Sequence, residues 1–263
     1  MLVLFKPSPQ SIVRAYVAGR VHGAKPVLES GKKRFFFDDI LEADSLDYDA
    51  VYRSYKEKFG GLDFLEDEKL FEILEDEIFW ASRYDSLDRY VLIFDVLKRI
   101  EQTGTKAYLN QEFAEAKEMK DRIRRVTGEF RRAKEYLTFK EDTANKTIVG
   151  RGSFEHDIAD LVLRHFAKKR PGFNVVVVDE TEVHIHYNDE ILVDSTDRFP
   201  AKPGRKDSKR YWLLLSDLNH LEAMKDRRYY AGDLPKNYWK WVGEDSRETG
   251  IASRTTLDDF VQR

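Results

Sequence analysis

Apolar residues recur along this chain at two periods, every second position in some stretches and every third or fourth in others. Met1 to Phe5 is a short apolar run and predicts a strand. Ser11 to Val17 follows Pro7 and Pro9 and fits either a helical turn or a second strand. The stretch "GRVHGAKPVLESGKKRFFFDDI" has the Gly, Pro and Ser content of strands joined by turns. From Asp47 the period becomes helical. Leu70, Phe71, Leu74, Ile78 and Phe79 repeat at three to four residues, and so do Tyr90, Leu92, Ile93, Val96, Leu97 and Ile100, until Gly104. Glu72, Asp76 and Glu77 read as an acidic surface of these helices. Glu112 to Tyr136 predicts one long helix with Met119, Ile123, Val126, Phe130 and Ala133 on its apolar stripe.

Beyond Tyr136 the short period returns. Tyr136–Lys140 and Lys146–Arg151 predict two strands around the loop "EDTAN". Ser153 reads as the cap of a helix over 154–170, with Ile158, Leu161, Val162, His165 and Phe166 on one side. Pro171 and Gly172 stop it. Phe173–Val178 predicts a central strand. In "TEVHIHYN", Val183, Ile185 and Tyr187 alternate with His184 and His186, which read as the solvated side; Glu190–Val193 returns the chain. "STDRFPAKPGRKDSKR" is a polar loop, Tyr211–Ala223 resumes a helical period, and Pro235 starts a short helix bearing Tyr238, Trp239 and Trp241. The pattern predicts an α+β fold, a mainly antiparallel sheet with packed helices and a helical subdomain. Its parts are residues 1–48, N-terminal strands joining the main body; 49–125, a helical region; 126–242, an α+β domain; and 243–263, a flexible tail.

Composition changes this picture in three ways. The 263 residues are 41% apolar and 35% charged, enough for one large domain or two modest ones. Cysteine is absent, which removes disulfides, thiolate metal sites and a cysteine nucleophile, and fits a reducing compartment. The opening "MLVLFKPSPQ" is too short for a signal-peptide core, and no apolar run approaches the length of a membrane span, so the expected location is cytoplasmic, with no membrane partner.

The net charge of −3 hides an asymmetry. Residues 1–116 hold 16 basic against 22 acidic residues, and 117–263 hold 29 against 26. The basic excess sits in clusters: Arg124, Arg131, Arg132 and Lys134 on the long helix, and Lys168, Lys169 and Arg170 closing the next. Such clusters suit phosphate contacts, and they serve equally as solvated faces or as partners of a helix dipole. Lys32, Lys33 and Arg34 beside Phe35, Phe36 and Phe37 would suit base stacking, although a core strand accounts for the phenylalanines more simply. His156, Asp157 and Asp179 are the candidate catalytic set, as general base or as ligands of a divalent metal; a structural His156 under its loop is the simpler account. No Walker loop, dinucleotide turn, zincin helix or nucleophile elbow occurs, and no cofactor or resident metal is called for.

Several segments resemble the DUF4130 family, whose members are described as probable DNA-metabolism proteins. They are "VTGEFRRAKEYLTF", "HDIADLVLRHFAKKRPG", the strand ending "VVVVD", "HYNDEI" and "LPKNYWKW", spanning about Thr127 to Trp241 in matching order. The resemblance implies a role on DNA with no established reaction. It also implies, as partners, a radical-SAM protein of DNA modification or repair and a uracil-DNA-glycosylase-like protein. Carried over by residue, it marks His156 and Asp157 as a pair, Lys168, Lys169 and Arg170 as a basic patch, and Arg131, Arg132 and Lys134 as the basic helix. It adds Lys236, Tyr238 and Trp239 from the terminal motif and aligns Trp212 with a helix-opening tryptophan. An Arg-rich turn usual after Asp179 reads Glu180-Thr181-Glu182 here. The tail "RTTLDDFVQR" is similar to a sliding-clamp (PCNA) interaction peptide: Leu257 and Phe260 match, Val261 replaces an aromatic, and Arg254 stands where Gln belongs.

Two functional classes follow. One is a DNA-binding accessory or adaptor protein of repair that docks on the sliding clamp, with RNA an alternative ligand. The other is a DNA-processing enzyme, glycosylase-like or a metal-dependent nuclease, using the His156 and Asp157 region.

Overall fold

Ser8, Pro9 and Gly23 set the limits of a helix where the sequence pattern left a choice. The Ser8 side chain accepts from the Ser11 N–H, Pro9 opens the first turn, and Gly23 closes the helix at φ 63°, a left-handed conformation open to glycine. This helix, α1 (Pro9–His22), joins β1 (Leu2–Phe5) to β2 (Lys25–Leu28), which lie parallel. Parallel neighbours need such a crossover. The computed structural model describes residues 1–29, 39–144, 146–179, 182–187 and 189–195. The Lys32–Phe37 stretch therefore lies outside the described residues. The chain divides into two units, Met1–Thr127 and Gly128–Arg263.

In the first unit β3 (Ile40–Glu42) pairs with β1 on its other side, again parallel, giving the order β2-β1-β3. Pro26 is tolerated because β2 is an edge strand. Central β1 is buried through Val3 and Phe5. Around this sheet stand α2 (Tyr48–Phe59), α3 (Asp63–Glu66), α4 (Glu68–Ala81), α5 (Arg89–Thr103), α6 (Thr105–Leu109) and the start of α7 (Ala114–Tyr136). Phe5 meets Tyr90 and Phe94 of α5 edge-on, at centroid distances of 5.2 and 5.3 Å. Glu101 of α5 takes the Tyr16 hydroxyl and a two-pronged contact from Arg20, at 3.1 and 3.0 Å, and so ties α5 to α1. Glu77, expected on the surface, is held by Tyr108 and Lys120 and is only 15% exposed.

The second unit holds the end of α7, then β4 (Phe139–Asp142), β5 (Thr147–Arg151), α8 (Ala159–Lys169), β6 (Asn174–Val178), β7 (Glu182–Tyr187) and β8 (Glu190–Ser195). The strands line up in sequence order, β4-β5-β6-β7-β8. Every pair is antiparallel except β5–β6, which is parallel, with α8 as its crossover. Phe139 and Gly150 share the α8 side, where the Phe139 ring packs on Phe166 at 4.3 Å.

These observations overturn the expected fold class. Helices predominate among the described residues, the first sheet is wholly parallel, and the N-terminal strands form that sheet rather than joining an antiparallel one. The strand–helix–strand order around α8 already carried the signature of a parallel pair. His184 and His186 are corrected too. The alternation holds, but their side chains are 14% and 11% exposed, on the sheet side shared with Val175 and Val177. Opposite them Val149, Val176 and Val183 form a buried cluster.

Gly150 lies where a Cβ would fall 2.9 Å from the Phe139 ring and 3.1 Å from the Thr138 carbonyl oxygen. That ring is already pressed on Phe166, so it has little room to retreat. Gly150→Ala is expected to lower stability by about 1–3 kcal/mol, read as a reduced urea midpoint at unchanged slope.

Candidate nucleic-acid interface

The basic helix α7 carries its cations into two different settings. In its Ala114–Thr127 part, acids of the first unit take most of them. Arg122 makes a two-pronged contact with Asp88 at 2.8 and 2.9 Å, a third with Glu118 at 2.9 Å, and lies over the Tyr84 ring. Arg122 and Ser86 together hold the Asp88 carboxyl well below the usual carboxylate range. Lys120 is paired with Glu77, and Arg125 donates to the Tyr84 hydroxyl at 3.2 Å. Arg124, a candidate phosphate contact, is paired with Asp121 one turn away on an open surface. Such an exposed pair contributes about 0–1 kcal/mol, so a stronger anion can draw Arg124 off.

In the second unit the end of α7 and the end of α8 share an aromatic cluster. Phe130 meets His165 edge-on at 6.4 Å, and His165 meets Phe166 at 5.2 Å. Lys134 stands 4.6 Å from the Phe130 centroid and Lys169 5.7 Å from that of Phe166. Burial holds the His165 imidazole below its ordinary pKa, and the charges of Lys169, Lys134 and Lys168 act in the same direction. The structure thus brings together three cations that lie 34 and 35 positions apart in sequence. Arg131 is exposed on α7. Arg170 is paired with Glu141 at 3.6 Å. Arg132 is half-buried, and its charge acts on Glu129.

The candidate catalytic residues lie at one edge of the second sheet. Arg151 and Val178 are partners in the parallel register, so β5 and β6 end side by side. The Gly152 N–H donates to the Val178 carbonyl at 3.1 Å, and the Asp179 N–H donates to that of Glu182 at 2.8 Å. The segment from Gly152 to Asp157 leaves from this edge, and Asp179 follows β6 at the same edge. His156 is half-buried and Asp157 exposed. Among the described residues no three His, Asp or Glu side chains gather closely enough to hold a metal ion. Lys236, Tyr238, Trp239, Leu257, Phe260 and Val261 lie outside the described residues.

Sequence reasoning missed Glu129. It stands on the apolar stripe of α7 between Val126 and Ala133, and all three are 0% exposed. Its carboxyl group accepts the Glu155 N–H at 2.6 Å and the His156 backbone N–H as well. That capture explains a second correction. The helix expected from Ser153 begins instead at Ala159, because the N–H groups of 155 and 156 are bound across to α7 and a tight Ile158 N–H to His156 carbonyl contact of 2.8 Å closes the segment. The signal was present in the sequence: an acid at a position where helical spacing demands an apolar residue.

Burial raises the Glu129 pKa from 4.5 to about 7. With the folded value above the unfolded one, the folded state holds the proton longer. The Glu129 contribution to stability is therefore most favourable below pH 4.5 and falls as pH rises toward and through 7. Glu129→Gln keeps the acceptor oxygen and removes this dependence. Denaturation series at pH 5 and pH 8 are expected to show the wild type losing up to about 3 kcal/mol more than the variant between them.

A family model described as a domain of unknown function, DUF4130, matches residues 87–244. No curated protein matches the chain.

Proposed function

The chain belongs to the DUF4130 family, and we propose that it is a DNA-binding accessory protein of DNA repair or metabolism, working in the cytoplasm and docking on the sliding clamp through its C-terminus. The observation that carries the reading is the gathering of Lys134, Lys168 and Lys169 around one aromatic cluster, from two separate helices. Arg131 extends the exposed positive surface of α7. Phosphate oxygens replace the water around such ammonium groups and release counterions, which makes binding weaken with salt. Clamp docking is supported by the spacing of Leu257, Phe260 and Val261.

A DNA-processing role for His156 and Asp157, with Asp179, is the second reading. It is supported by their place at the ends of parallel strands, the edge where open α/β sheets hold their ligands. The metal-dependent form of it gains no support from a ligand cluster among the described residues.

The lysines are expected to act together. Changing Lys134, Lys168 and Lys169 to Ala should weaken DNA binding by about tenfold or more at low salt. The slope of log affinity against log salt should become shallower by about 2–3. Anisotropy titrations on single- and double-stranded DNA and on RNA measure both quantities; an unchanged slope would remove the proposed interface. Leu257→Ala with Phe260→Ala should abolish clamp association and leave DNA affinity within about twofold. A wild-type chain that does not associate with the clamp overturns that part.

A further inference from the structure

We propose that Glu129 is a positioning residue: its buried carboxyl group grips the backbone N–H groups of Glu155 and His156 and so fixes how His156 and Asp157 are presented at the strand-end edge. This deepens the second reading above, and its test needs no turnover.

Three hydrogen-bonded contacts are among those that set the path of the Gly152–Asp157 segment. Its start is bound to β6 through the Gly152 N–H and the Val178 carbonyl, at 3.1 Å. Its end is closed by the Ile158 N–H on the His156 carbonyl, at 2.8 Å. Glu129 holds its middle, with the Glu155 N–H at 2.6 Å. Backbone groups in an irregular segment have no ladder or helix to complete them, and an acceptor from elsewhere decides their direction. Two successive N–H groups aimed at one carboxyl leave the peptide planes of 154–156 little freedom. The His156 and Asp157 side chains inherit that orientation.

The carboxyl is a costly choice for a purely structural peg. The second oxygen of Glu129 is buried and has no hydrogen-bond partner among the described residues. The surrounding charges are Glu155, which disfavours the anion, and Arg132, which favours it. Charge-assisted bonds from the two N–H groups are stronger than those to a neutral acid, so the grip tightens when Glu129 ionises. Global stability moves the other way, because the anion is desolvated. The segment is therefore most firmly set just where Glu129 begins to cost the fold.

Two variants of the full chain separate the possibilities. In a 15N-labelled sample the Glu155 amide shift is expected to titrate with a midpoint near neutral pH in the wild type and to be flat in Glu129→Gln. Amide exchange at Glu155 and His156, corrected for intrinsic pH effects, should stay within about threefold in Glu129→Gln. In Glu129→Leu it should speed up by about tenfold or more, while Val175–Val177 remain protected. A Glu155 amide that does not titrate, a titration that survives in Glu129→Gln, or unchanged exchange in Glu129→Leu overturns the proposal. If Glu129→Leu fails to fold, the wild type and Glu129→Gln decide it alone. Should the chain bind no DNA, the nucleic-acid reading falls while the amide titration still decides the role of Glu129.

Discussion

Parallel pairing of adjacent strands is the constraint on which both units rest. Two parallel neighbours cannot be joined by a turn, so the chain must cross over, and each crossover here is a helix or a longer path. The crossover sets what lies at the strand ends. In the first unit it is α1, capped by Ser8 and Pro9 directly after β1. In the second it is α8, and seven residues separate it from β5. Those seven lie outside strand and helix, and Glu129 takes the N–H groups of Glu155 and His156 among them. The edge that carries His156 and Asp157 thus follows from strand pairing, through the backbone groups that pairing leaves over.

Charge on α7 shows how the same residue type acquires different roles from its neighbours. Arg122 and Lys120 meet acids that were waiting for them, and their positive charge is spent inside the first unit. Lys134 and Lys169 meet aromatic faces instead. A cation over a ring keeps most of its field, because the ring carries no net charge to cancel it. A count of basic residues along the helix treats these two groups alike, yet an acid cancels the charge of the first and a ring leaves that of the second.

The sequence made the period of each helix legible, and less so the direction of the strands. Glu112–Tyr136 was expected as one helix and is observed as Ala114–Tyr136, because Met119, Val126 and Ala133 fall on one side without a break. Thr147–Arg151 and Asn174–Val178 fall close to their expected bounds. The antiparallel reading failed at α1, where Ala15, Ala18 and Gly19 blur the amphipathic stripe. All three are buried, and Gly19 is small because a Cβ there would meet the Ala24 carbonyl oxygen at 2.8 Å. A helix buried on most sides has no polar face to announce it. The histidines of β7 failed for a related reason: alternation reports two faces, but not that both are covered. At the candidate site, the family likeness located His156, Asp157 and the lysines. Convergence of Lys134 with Lys168 and Lys169 depends on how two helices pack, which no local pattern encodes.

Glu129 marks the point where local preference and tertiary structure disagree. Ser153 followed by an amphipathic run is a fair helix start, and a helix begun there would satisfy the N–H groups of 155 and 156 by itself once a cap was supplied. The chain instead ends its turn at His156 and starts α8 at Ala159. For that to be the lower state, the carboxyl must outbid helix formation over five or six residues while sitting where water cannot reach it. A glutamine would offer the same acceptor oxygen without the cost of a buried charge. A fold that needed only stability would be better served by it. What glutamine lacks is a proton to gain and lose near neutral pH, and a stronger hold when that proton leaves. The physical distinction between the two side chains therefore lies in control of the His156 segment rather than in the strength of the core around it.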